Sequence, residues 1–99
     1  MARFTVYKNP DGKGYLLDLQ ADLHGHFSTR VVAPLLPLED VPHYASALNP
    51  VFDIEGNPVV MATQGMAAVP AQILKQAVAT LASRRAEIVA AVDLLFQGF

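Results

Sequence analysis

The sequence predicts a mainly β fold (β+α), a small barrel or open sheet of short antiparallel strands with one C-terminal α-helix packed across it. Short runs of β-branched and aromatic residues recur between clusters of Gly, Pro, Asn and Asp, which reads as strands joined by tight turns. Apolar residues fall into a sustained 3.6-residue period in residues 83–99, which reads as a helix at the end of the chain. Five or so strands followed by one helix fit a sheet that buries one face under that helix.

Residues 4–7 (Phe-Thr-Val-Tyr) form the first strand, and Asn9, Pro10, Asp11, Gly12 and Gly14 make a dense turn. Residues 15–20 return as the second strand, with Leu17 and Leu19 on one side and Leu16 and Asp18 on the other. The Gly12-Lys13-Gly14 loop is no phosphate cradle, because no helical pattern follows it. Residues 30–34 are a third strand, ended by Pro34 and Pro37, neither of which can donate to a ladder. Residues 39–48 connect to a further hairpin, 49–54 and 59–63 about a turn at 55–58, with Phe52 and Ile54 on one face. Residues 66–70 add a short strand, and residues 71–82 read as a short helical or turn segment, since Ile73, Leu74, Ala77, Val78 and Leu81 have helical spacing. Met61 and Met66 read as core filling.

In the closing helix Ile88, Val92, Leu95, Phe96 and Phe99 share one face, Ser83 is the expected N-cap and Gly98 the left-handed residue that ends it. Phe99 either folds back on the last turn or is offered to a partner. Arg84 and Arg85 oppose the helix dipole in its first turn, which calls for a carboxylate nearby, an intramolecular one first.

Composition bounds the function. The 99 residues make one domain, 1–99, with 53% hydrophobic and 16% charged residues, more apolar side chain than one small core hides. A homodimer is the expected outlet for the excess. A net charge of -2 with only seven scattered Lys and Arg argues against direct nucleic-acid binding. The absence of cysteine removes disulfides and thiolate chemistry, and no apolar signal core or membrane span is present, so a cytoplasmic protein is expected. Asp22, His24 and His26 contain metal-ligating types, but two imidazoles on a Gly25 loop without a committed third ligand read as a solvated loop. No metal, no cofactor and no catalytic residue is expected.

Phe4-x-Val6-Tyr7, residues 17–22 (Leu-Asp-Leu-Gln-Ala-Asp), Arg30-Val31-Val32-x-Pro34-Leu35, Leu48-x-Pro50-Val51, Met66-Ala67-x-Val69-Pro70 and Ile88-x-x-Ala91-x-x-Leu94-x-Phe96-x-Gly98-Phe99 together resemble the CcdB family, nearly end to end. The resemblance implies a homodimeric SH3-like β-barrel with a C-terminal helix. It implies a non-enzymatic toxin of a type II toxin–antitoxin module, which poisons DNA gyrase through its GyrA subunit and is neutralised by a CcdA-like antitoxin. Carried over by position, Gln97, Gly98 and Phe99 are the gyrase-binding tip, with Gln97 where the best-known member has tryptophan, and Leu23, His24, Asp93 and Phe96 are the antitoxin-binding residues. A relative that binds antitoxin without poisoning gyrase is the second reading. A MazF-like endoribonuclease is the third, drawing on Asp18, Asp22, Arg30 and the histidines for acid, base and cation, although these do not cluster in sequence.

The apolar excess makes the dimer testable: light scattering at micromolar concentration should give about twice 10.7 kDa, and a monomer there would contradict a two-fold mode of action.

Overall fold

Alternation along the strands decides where the core lies. The computed structural model describes residues 2–22 and 27–98. Its strands are β1 (Thr5–Lys8), β2 (Tyr15–Asp18), β3 (Thr29–Pro37), β4 (Val51–Ile54), β5 (Asn57–Met61), β6 (Ala67–Pro70) and β7 (Ala77–Thr80), followed by α1 (Arg85–Gln97). Single 3-10 turns sit at Leu38–Asp40, Thr63–Gly65, Ala71–Ile73 and Ala82–Arg84. All pairings are antiparallel, in the order β4-β5-β3-β2-β1-β7 with β6 also on β3, and the sheet curls into a half-barrel with the helix against it. The mainly β class expected from the sequence holds.

Strand β3 organises the sheet. One edge carries β2, with Tyr15 opposite Leu35 and Asp18 opposite Val32. The other edge is shared end to end: β6 pairs with residues 29–32 and β5 with residues 35–37. The change of partner falls at Pro34, whose carbonyl accepts from the Ala62 amide at 2.8 Å where the chain leaves β5. Pro34 therefore does not end the strand, as its missing N–H suggested. That gap faces the interval between two partners, where no ladder bond is lost.

The first hairpin forms as expected, with Val6 opposite Leu17. The second turns more tightly than residues 55–58 suggested: Glu55 and Gly56, at φ 55° and 84°, make a two-residue turn, and Asn57 and Pro58 already belong to β5. Positive φ at both central residues matches the right-handed twist of the flanking strands. Asp53 Oδ1 accepts from the Gly56 amide at 2.8 Å and fixes the turn.

Two apolar layers result. Val6, Leu17, Leu35, Phe52, Ile54 and Met61 pack on the concave side against Ile88 and Ala91 of the helix. Tyr7, Leu16, Val32 and Leu74 pack on the other side of the sheet. Residues 71–82 are neither one helix nor one turn. They contain β7, which pairs with β1 through Thr5 opposite Thr80 and Val6 opposite Ala79. The helical spacing misleads because Leu74 and Leu81 are buried in different layers, on opposite faces of the sheet, whereas a helix would present them together.

The helix starts at Arg85, two residues after the Ser83 cap the sequence suggested. Ser83 lies in the preceding 3-10 turn, Arg84 takes the cap position without a side-chain bond, and Thr80 Oγ1 receives the Ala82 amide at 3.2 Å. Leu81 sets this start, because its side chain is buried and its amide donates to the Phe4 carbonyl at 2.8 Å. The other end is as expected: Gly98 adopts φ 78° and its amide donates to the Leu94 carbonyl at 2.9 Å. Phe99 lies outside the described residues. The expected carboxylate for Arg84 is Glu87, one turn on, with Nη2 donating to Oε2 at 2.9 Å, and this hydrogen bond holds the Glu87 carboxyl below its usual range.

Gly14, at φ 78°, brings the first loop against β3 so closely that an added Cβ would collide with the Leu35 carbonyl oxygen. Gly14→Ala is expected to cost about 1–3 kcal/mol, from left-handed strain plus displaced backbone, and to lower Tm by several degrees in calorimetry. Gly12→Ala, with nothing within 4 Å, should leave Tm nearly unchanged.

Candidate partner-binding site

The helix is divided along its length. Its first turns are held by the core through buried Ile88 and Ala91 and half-buried Val89 and Val92. Its last turn leaves the core: Leu95 is 36% exposed and Phe96 73% exposed, and Asp93, Gln97 and Gly98 are exposed too. The single buried face expected from the period is thus covered over only half of its length. Asp93 and Phe96 are three apart, on neighbouring positions of the helix surface, beside Gln97 at the tip. Asp93 has no cationic partner among the described residues and lies near the negative end of the helix dipole. A partner that covers Phe96 and supplies a cation or donor to Asp93 would relieve both. Leu23, His24 and Phe99 lie outside the described residues.

A buried ionic cluster involves the residues that precede Leu23 in the chain. Asp18 on β2 and Arg30 on β3 meet diagonally across the two strands, with Arg30 Nη2 donating to Asp18 Oδ2 at 2.8 Å and Nε at 3.1 Å. Arg30 Nη1 donates to Asp22 Oδ1 at 3.0 Å and Nη2 also to the Gln20 carbonyl at 2.8 Å. The Gln20 amide donates to Asp18 Oδ1 at 3.1 Å, and its side-chain Oε1 accepts from the Val31 amide at 3.0 Å. Burial works against the Arg30 charge, but the hydrogen bonds and charges of Asp18 and Asp22 outweigh it and hold the guanidinium more firmly protonated than usual. Tyr7 nearby is pushed above its ordinary range, by burial first and by the Asp18 carboxylate second.

Asp18, Asp22 and Arg30, dispersed in sequence, are therefore together in space. Their charges are spent on one another: the Asp18 side chain is fully buried and Arg30 is 5% exposed, so neither is offered to a phosphodiester. Among the described residues no buried side-chain polar atom lacks a partner, and no group of three potential ligands could hold a metal. The cluster is a brace that ties residues 20–22, just before Leu23 and His24, to the start of β3. One signal for it lay in the sequence, since an Asp at a sheet-facing position calls for a cation on a neighbouring strand. Phe27, 53% exposed on the far side of the same segment, carried no such signal.

Removing one member of the buried pair should separate the brace from its exposed arm. Asp18→Ala is expected to cost about 3–5 kcal/mol in urea unfolding, because Arg30 is left charged and unanswered inside the protein. Asp22→Ala, whose carboxylate is 47% exposed, should cost less than about 1 kcal/mol.

A search of the curated proteins gives no match. The family profile described as CcdB protein matches residues 3–98, and with a braced half-barrel and a terminal helix half held, half displayed, the chain belongs to the CcdB family of toxins from toxin–antitoxin systems.

Proposed function

We propose that this chain poisons DNA gyrase by binding its GyrA subunit through the end of α1, with Gln97, Gly98 and Phe99 as the tip, and that a CcdA-like antitoxin neutralises it at Leu23, His24, Asp93 and Phe96. The observation that carries the reading is the exposure of Phe96, 73%, on a helix whose other half is fixed in the core. An aromatic held out on a rigid helix binds without first ordering the segment that carries it. The unit acts as one domain over residues 1–99 and as a homodimer, which presents the two tips about a two-fold axis. No helix among the described residues is long and apolar enough to cross a membrane, and the proposed place of action is the cytoplasm. The mechanism needs no catalytic group.

A second reading rests on Gln97. A glutamine at the position of the family's tryptophan removes an anchor of the kind worth about 2 kcal/mol or more, which fits a relative that binds antitoxin but has lost gyrase.

Deleting residues 97–99 is expected to abolish growth inhibition and gyrase binding with Tm nearly unchanged, since Gln97 and Gly98 bury little of the core. Gln97→Trp should tighten gyrase binding by about tenfold or more in a pull-down titration. If neither the parent nor the Trp variant binds gyrase or slows growth, the antitoxin-binding relative is the right account.

A further inference from the structure

The tips of the two hairpins stand together and border a recess of about 300 Å³ that involves neither the helix tip nor the ionic brace. Its lining comes from Lys8 at the end of β1, from the loop that opens β2 and from the start of β5, with Pro37 and Glu39 added where the chain leaves β3. Small-molecule sites begin at roughly this size, as concave pockets with an apolar wall and a few convergent polar groups. The walls hold their shape without a ligand. The Tyr15 hydroxyl donates to Glu55 Oε1 and accepts from Asn57 Nδ2, both at 3.2 Å, so the first residue of β2 clasps the turn of the second hairpin. Glu55 keeps φ 55° there, a conformation that costs a non-glycine residue energy and persists because its surroundings impose it. On the other border Gly14 is pressed against the Leu35 carbonyl.

The polar groups of the lining favour an anion. Lys8 has no carboxylate partner among the described residues, and Lys13 reaches Asp40 only at 4.0 Å with both side chains exposed, a pairing that is given up at little cost. The amides of Gly12, Lys13 and Gly14 donate to no protein acceptor among the described residues, so three consecutive backbone donors stand beside two ammoniums. Glu39 is the one acidic side chain of the lining, and two ammoniums against one carboxylate leave a single positive charge. The rest of the wall is apolar, from Pro37, Pro58 and Val59.

We infer that this recess binds a small monocarboxylate with an apolar body, the carboxylate received by Lys8, Lys13 and the loop amides and the body laid on the two prolines. One net positive charge answers one negative charge, and the apolar wall gives a purely ionic ligand nothing to cover. A multiply charged phosphate ester suits the recess less, since no arginine fork lines it. The walls are set before the ligand arrives, which removes part of the ordering cost of binding. The site lies at the Lys8 end of β1, whereas the approach to α1 pairs with the Thr5 end of that strand through Thr80.

The test is a heteronuclear NMR titration of the isotope-labelled full chain with phenylacetate, with phenylacetamide as its uncharged counterpart and inorganic phosphate as an anion without an apolar body. Phenylacetate should shift the amides of Gly12, Lys13, Gly14 and Asn57 and saturate with a Kd of about 1 mM or below. Phenylacetamide and phosphate should each bind at least about tenfold more weakly, the first for want of charge and the second for want of apolar contact. The double change Lys8→Gln and Lys13→Gln, at two exposed side chains that leave the fold intact, should weaken phenylacetate about tenfold or more. Lys75→Gln, an exposed lysine outside the recess, should have no effect. Absence of saturation by about 10 mM, shifts confined to other residues, equal binding of phenylacetamide or phosphate, or an unchanged affinity in the double lysine variant would overturn the assignment. Its failure would leave the gyrase reading standing, because that one is read by growth and gyrase binding.

Discussion

Arg30 enters β3 with its guanidinium drawn below the surface of the sheet, and a buried cation is tolerable only if its donors are met. Asp18 meets two of them from the neighbouring strand, Asp22 and the Gln20 carbonyl meet others, and Gln20 in turn holds the Asp18 carboxylate and the Val31 amide. The cost of burying the pair is offset only when β2, β3 and residues 20–22 are all in place at once. That makes the pair a weak source of net stability and a strong source of specificity, since a one-residue slip of β2 on β3 would send Asp18 to the wrong face. The two apolar layers, the shared edge of β3 and the direction in which the chain leaves toward residue 23 all presuppose this register.

Hairpins were legible because turn chemistry is local. Asn9 to Gly14 and residues 55–58 announce reversals without reference to anything distant, and the alternation around Leu17 and Phe52 then assigns faces. What stayed hidden depended on remote residues. Strand β7 is made of Ala, Val, Ala and Thr, which have no decided local preference, and it is a strand because the edge of β1 needs a partner. Pro34 looked like a terminator because its place between two partners of β3 is a property of the sheet. Ser83 looked like a cap because nothing nearby shows that Leu81 is fastened to Phe4.

The surroundings of the candidate residues on α1 were legible to the same degree. Periodicity found the helix and its apolar face, but it could not tell that Ile88 is covered and Phe96 is not, because coverage depends on where the barrel ends. The resulting division places firm anchoring and display on one continuous element, so that movement at the tip is limited by packing around Ile88 and Ala91. Burial and exposure therefore fall on different residues of α1, and the two can change independently along the chain.

The pairing of β1 with β7 joins the first strand to one that begins at Ala77. Such a contact closes a very long loop, and non-local pairings of this kind are formed late and slowly. During synthesis, which proceeds from the N-terminus, Val6 and Tyr7 keep an unpaired edge until some seventy further residues have been added. The helix comes after that strand in the chain, and Leu81, the residue that fastens its start, is itself held by Phe4. The half-barrel is thus closed by the joining of β1 and β7, and a growing chain carries no seated helix until the residues beyond Leu81 have been made.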